Sequence, residues 1–244
     1  MAHVRHLANR ASGVAIPAPY DQGMSESGLR ADAERNRQLI LAAARELFAS
    51  EGVGVSMRQI ALRAGVGEPT LRRRFASKGA LLAEAFQDRA TAYADLAERA
   101  LDDPDPWHGF VTFVEQVAGM QLADRGFTEV LTMSFPESIR FAKERRRAYT
   151  AFQQVIARAQ EAGRLREDFV PEDLIMLLLA HAGVVAGGGG QAGRFSARLI
   201  AYLVHAVRAS AETEPLPPAP SAAEAYGELR RLSRSAGSAK GRSG

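Results

Sequence analysis

The chain has 244 residues, enough for one or two domains with a proper core, and its 46% hydrophobic and 24% charged content is ordinary for a globular protein. Cysteine is absent, which excludes a disulfide framework, a thiolate metal site and a cysteine nucleophile. The net charge of +3 is small, but residues 34–79 carry nine Lys/Arg against four Asp/Glu, so the basic footprint is local.

Residues 1–31 hold Arg5, Arg10, Asp21 and several Pro and Gly without an apolar segment of the signal-peptide kind, and are expected to be an irregular, disordered extension. Met24 would make a natural start, so the first 23 residues are expected to be dispensable. A first helix is expected over 32–50, where Ile40, Ala44, Leu47 and Phe48 form a core stripe. Gly52 ends it, and Ser56 suits the N-cap of the next.

Residues 56–75 read SMRQIALRAGVGEPTLRRRF. A short helix over 57–63 places Ile60, Ala61 and Ala64 on one face. Gly65 suits the turn, since a positive φ is cheap only for glycine. A second helix starts at Gly67 or Glu68, with Pro69 tolerated in its first turn. Leu71 and Phe75 point inward, while Thr70, Arg72, Arg73 and Arg74 point out. This is a helix-turn-helix whose second helix is short enough to enter a major groove.

A long fourth helix is expected over 78–101, capped by Ser77 and locked onto the head by Leu81, Leu82 and Phe86. Asp102, Asp103, Pro104, Asp105 and Pro106 break it. Further helices follow over 106–123, 137–162, 171–186 and 193–211, with a short element over 127–134. The apolar run 174–187 has 14 residues, against the roughly 20 a bilayer needs. It is therefore read as a buried helix, with no membrane span; the absence of cysteine fits a reducing cytoplasm, the expected location. Gly187 to Gly190 reads as a flexible link, not a phosphate loop, because no strand precedes it and no Gly-Lys-Ser/Thr follows. Pro215, Pro217, Pro218 and Pro220 open a tail, 212–244, expected to be disordered. No stretch alternates like a half-buried strand, so the fold class is all-α.

The string IALRAGVGEPTLRRRF followed by ASKGALL resembles the DNA-binding signature of TetR-type regulators, typically I-A-x-x-A-G-V-x-x-x-T-L-Y-x-x-F-x-x-K-x-x-L. The detailed resemblance runs from about Arg35 to Leu82. It departs at Arg72, where the family usually has tyrosine; arginine still reaches a phosphate, but aromatic packing on the sugar is lost. With the helix-turn-helix reading it gives a three-helix DNA-binding head over 32–79. The long fourth helix joins this to a helical ligand-binding and dimerisation domain over 80–211.

The candidate DNA-binding set is Ser56, Arg58, Gly67, Glu68, Pro69, Thr70, Arg72, Arg73, Arg74 and Lys78. Gly67, Glu68, Pro69, Thr70 and Arg73 come near base edges, and an arginine can pair bidentately with guanine. Arg58, Thr70, Arg72 and Lys78 are placed to meet phosphates; Lys78 matches the family lysine that begins the helix after the motif. Arg73 is the expected specificity residue.

The resemblance also implies a four-helix dimer interface from the last two helices, with Leu174, Leu178, His181, Leu199, Tyr202, Leu203 and Ala206 as candidates. It implies an effector pocket in the middle helices, with Phe110, Phe113, Met120, Met133 and Phe152 as lining. The expected partners are a double-stranded DNA operator, an unidentified small effector and a second copy of the chain. The run Lys143-Glu144-Arg145-Arg146-Arg147 reads as a solvated helix face. The histidines show no metal spacing with carboxylates outside His3 and His6, so neither metal nor cofactor is expected, and no Ser/His/acid constellation suggests an enzyme. The expected function is a repressor that binds a palindrome as a homodimer and is released by a hydrophobic effector. The alternatives are a ligand-insensitive DNA-organising protein, or a helical ligand-binding protein or enzyme.

Overall fold

A computed structural model describes residues 26–132, 139–210, 214–221 and 224. They fall into two compact units divided after Arg35. The first holds the start of the first helix, where Arg35 pairs with Asp32 at 2.6 Å. The second holds all the elements that follow. Among the described residues there is no strand, only one bridge between Leu165 and Arg208.

Helix α1 spans Glu26–Glu51, so residues 26–31, expected to be irregular, are helical. Helices α2 (Met57–Ala64) and α3 (Glu68–Arg74) form the motif, and α4 (Lys78–Ala85) follows. The expected single helix over 78–101 is two, because α5 begins anew at Gln87 and ends at Leu101. Phe86 takes φ −102° and ψ 6° while its ring stacks on Phe48 at 5.8 Å and meets Phe127 at 6.3 Å. The bend stays hydrogen-bonded on both sides, from Phe86 N–H to Leu82 O and from Ala90 N–H to Phe86 O. Core packing of one aromatic ring thus overrides a locally helical sequence.

Helix α6 (Pro106–Ala123) has the expected bounds. Asp105 caps it by accepting from the N–H groups of Trp107 and His108, and Pro106 occupies the first turn, where no donor is missed. Helices α7 (Arg125–Thr132), α8 (Ile139–Glu161), α9 (Pro171–Gly187) and α10 (Ala192–Ala206) follow. Helix α10 stops five residues before the expected end. Beyond it the chain pairs with the α8–α9 connection: Arg166 N–H donates to Val207 O and Ala209 N–H to Arg164 O.

The link after α9 is a tight 3₁₀ turn over Gly189–Gln191 rather than a loose one. A Cβ on Gly188 would lie 2.7 Å from Ala192 Cα. The start of the proline-rich tail is also held. Arg166 Nη2 donates to Glu214 O, and Leu216 N–H to Asp168 Oδ2, each at 2.8 Å. Residues 1–25, 211–213, 222–223 and 225–244 lie outside the described residues.

Two cores result. One gathers Ile40, Phe48, Ile60, Leu71, Phe75, Leu81 and Phe86, together with Phe127 and Val130 of α7. The other gathers the apolar faces of α5, α6, α8, α9 and α10. Tyr93 packs against both, touching Phe127 at 6.5 Å and Phe113 at 5.7 Å between ring centroids. A continuous aromatic chain therefore joins the head to the larger domain.

Arg147, expected on a solvated face, is only partly exposed and is engaged by a neighbouring helix. It bridges α8 to α5 through Asp95 and Glu98 while also pairing with Glu144. Those three carboxylates hold its guanidinium firmly in the charged form.

Candidate nucleic-acid interface

The motif is built from its caps. Ser56 Oγ accepts from Gln59 N–H at 3.2 Å, and Gln59 Oε1 accepts from Ser56 N–H at 2.9 Å, a reciprocal capping box. Gly65 then adopts φ 68°, and Val66 N–H returns to Ala61 O at 3.0 Å. This left-handed step satisfies the last carbonyls of α2 and redirects the chain into α3. Leu71 and Phe75 are buried and anchor α3 to the head.

What α3 leaves outside is basic. Arg72, Arg73 and Arg74 are exposed. At about 100° per residue, Arg73 stands roughly 200° round from the buried Leu71, with Pro69 beside it on the outermost face. Arg73 Nη2 donates to Thr70 Oγ1 at 3.1 Å. Arg72 makes two hydrogen bonds to Glu68 Oε1, at 2.8 and 2.9 Å, so its charge is partly occupied along the helix. Arg58 and Gly67 are also exposed.

Lys78 differs from the others. It opens α4 but is half-buried, and burial pulls its ammonium pKa below the usual lysine value while the charge of Glu129 on α7 opposes that. Glu129 was not readable as part of this site. Its only sequence signal was an acid on a short amphipathic element.

The other candidate residues separate into two groups. Phe110 and Phe113 each stack on Phe152, with centroids 4.7 Å apart for Phe113 and Phe152 and 6.1 Å for Phe110 and Phe152. They form packed core, not an open wall. Met120 is partly buried between the two cores, and Met133 lies outside the described residues. An open groove of about 470 Å³ runs instead between α6 and α10, lined by Glu115, Ala118, Gly119, Leu122, Ser196 and Ile200 among others.

Of the expected dimer residues, Leu174, Leu178 and His181 turn into the core. His181 is wholly buried, with Nδ1 2.8 Å from Gln121 Oε1 and Nε2 2.7 Å from Ser196 Oγ. Gln121 donates its amide N–H to Leu178 O, so its oxygen is left to accept from His181 Nδ1–H, and Nε2 accepts from the Ser196 hydroxyl. Burial disfavours the charged imidazolium and lowers the pKa of His181.

Leu199 and Leu203 are partly buried and Ala206 is exposed. Tyr202 is 59% exposed, alongside Phe195 at 52% and Met176 at 45%. Phe195, Leu199, Tyr202 and Ala206 share one face of α10 by the i, i+4, i+7, i+11 rule. Met176 was missed because α9 is apolar almost all round, which leaves its periodicity without a phase.

A capped α2, a left-handed glycine turn and a short α3 with an outward arginine face, fused to a helical domain, define a helix-turn-helix DNA-binding protein. Residues 40–85 match the profile described as bacterial regulatory proteins, tetR family, and residues 105–203 that of the SbtR-like transcriptional regulator C-terminal domain. Together they cover more than half of the sequence, and the chain belongs to the TetR family of transcriptional regulators.

Among solved structures, a TetR family regulator from Marinobacter aquaeolei VT8 is similar at 18% identity. The match covers 74% of this chain and all of that one, with a TM-score of 0.53. A TetR regulatory protein from Mycobacterium vanbaalenii shares 29% identity over 74% of this chain and 99% of its own, with a TM-score of 0.45. The regulator SCO0520 from Streptomyces coelicolor shares 24% identity over 72% and 99%, with a TM-score of 0.47. No curated protein matches the sequence. Among the described residues no helix is long and apolar enough to cross a membrane, and no cluster of His, Cys, Asp and Glu could hold a metal ion.

Proposed function

We infer that this regulator is a repressor that binds a near-palindromic operator as a homodimer and is released by a small hydrophobic effector. The observation that carries the reading is the outward arginine face of α3, with Arg73 opposite the buried anchor Leu71. The DNA-binding domain is residues 32–79. Arg73, Thr70 and Pro69 meet base edges, and Arg58, Arg72, Arg74 and the N-terminal turns of α2 and α4 meet phosphates. Residues 80–211 bind effector and dimerise. The exposed face of α10 that carries Phe195 and Tyr202 is the surface a second copy covers, since large apolar side chains grouped on one face mark an interaction site.

An isologous dimer places two α3 helices in successive major grooves, with half-sites about 34–36 Å apart. The groove between α6 and α10 is mostly apolar and of a size suited to a small ligand, so it is the effector site we favour over the packed Phe110–Phe113–Phe152 cluster. A ligand there releases the operator only by favouring a conformer whose heads are mis-spaced.

The test is selection of genomic fragments by the purified protein, followed by footprinting at stated salt. Recovery of one two-fold symmetric sequence supports the reading. Fragments without a shared sequence would overturn it in favour of a ligand-insensitive DNA-organising protein.

A further inference from the structure

Helix α7 belongs to the larger domain by sequence, yet Gly126, Phe127, Glu129 and Val130 are built into the head. Phe127 is fully buried in the head core against Phe86. Gly126 lies so close to the end of α1 that a Cβ there would stand 2.5 Å from Phe48 O. Glu129 reaches the α1–α2 turn, where its Oε2 accepts from Val53 N–H at 2.7 Å.

The carboxylate occupies space that only glycine leaves. Gly52 has φ 80°, and a Cβ on it would lie 2.4 Å from Glu129 Oε1. The same carboxylate acts electrostatically on the half-buried Lys78, across the motif from the turn. One charged group therefore bears on the entry to α2 and the exit from α3.

We propose that Glu129 is a positioning residue for DNA recognition: its carboxylate, seated on the Gly52–Val53 turn, fixes the attitude in which the helix-turn-helix meets the operator. Base reading needs α3 at one depth and angle, whereas phosphate attraction needs only positive charge. Losing the latch therefore costs specific binding and spares non-specific binding. Removing a negative charge beside the phosphate-facing surface even favours the latter. Because α7 follows the α6 wall of the effector groove, the latch is also where a shift in the larger domain would reach the head. The inference rests on the reading of α3 as the operator-reading helix.

The experiment compares wild type, Glu129→Ala, Glu129→Gln and Arg73→Ala in the full chain. Each is titrated on the strongest duplex recovered by selection with wild type and on a random-sequence duplex of equal length. Thermal unfolding is followed alongside. Glu129→Ala is expected to lower the ratio of specific to non-specific affinity about tenfold, within the usual range for coupled sites. Glu129→Gln, which can still accept from Val53 N–H, restores most of that ratio. Equal loss on both duplexes, or an unchanged ratio whatever happens to unfolding, overturns the proposal. Should Arg73→Ala also leave the ratio unchanged, the reading of α3 fails first. If only Arg73→Ala lowers it, that reading stands and the latch alone is refuted.

Discussion

Replacing His181 with leucine keeps side-chain bulk at the junction of α6, α9 and α10 but removes both hydrogen bonds. Gln121 Oε1 and the Ser196 hydroxyl, now bonded to the ring at 2.8 and 2.7 Å, both lose their partner, and Gln121 is buried. An unsatisfied buried polar group costs roughly 1–3 kcal/mol. Ser196 lines the α6–α10 groove and can turn toward it, so Gln121 bears most of the loss, and the expected destabilisation is about 2–3 kcal/mol.

The same site gives stability a pH dependence. Burial lowers the folded pKa of His181, so below the ordinary value of about 6.5 the unfolded chain binds a proton that the folded one refuses. The contribution is full above that value and is lost as the pH falls toward the folded pKa. His108 has the opposite sign, since its hydrogen bond with Asp103 raises its pKa. Its contribution is present at low pH and lost as the pH rises through the folded value. Urea unfolding of wild type, His181→Leu and His108→Asn between pH 5 and 8, at one fixed protein concentration, separates the two. The reasoning is refuted if His181→Leu costs under about 0.5 kcal/mol, the range of an ordinary surface change, or leaves the acid-side slope unaltered.

Other outcomes follow from the packing. Phe113→Ala, in the stacked cluster with Phe152, is expected to cost about 3–5 kcal/mol in the same unfolding assay. Gly65→Ala meets no neighbouring atom but carries φ 68°, so its cost is the backbone penalty alone, about 1–2 kcal/mol. Gly126→Ala meets the Phe48 carbonyl at 2.5 Å and should cost more than Gly65→Ala by denaturation midpoint. Tyr202→Asp together with Phe195→Asp places charges on the exposed face of α10. Sedimentation is expected to show a dimer for wild type and a monomer for the double variant, with unfolding of the monomeric core little changed.

Much of this architecture was legible in the residues, and the exceptions have physical causes. The motif could be read because Gly65, Leu71 and Phe75 specify turn and anchor locally. Helix α6 could be placed to the residue because Asp105 and Pro106 mark its start. The break at Phe86 could not be read, since it depends on Phe48 and Phe127, distant in sequence. Nor could the end of α10, which is set by pairing of 207–209 with 164–166. The inward turn of Leu174, Leu178 and His181 was hidden by the uniform apolarity of α9. Aromatic residues alone could not tell a packed cluster from a pocket wall, so Phe110, Phe113 and Phe152 gave no view of the groove beside Ser196. Glu129 gave no local sign because its partners, Gly52 and Val53, lie more than seventy residues earlier.

The central claim is that α3 reads sequence through Arg73. The most direct measurement is the ratio of affinities for the selected operator and a random duplex, for wild type and Arg73→Ala, across a salt series. Wild type should prefer its operator by about 10³ or more. Arg73→Ala should lose about 1–3 kcal/mol of that preference, with random-duplex binding only slightly weaker. Equal losses on both duplexes would make Arg73 a phosphate contact only and contradict the account.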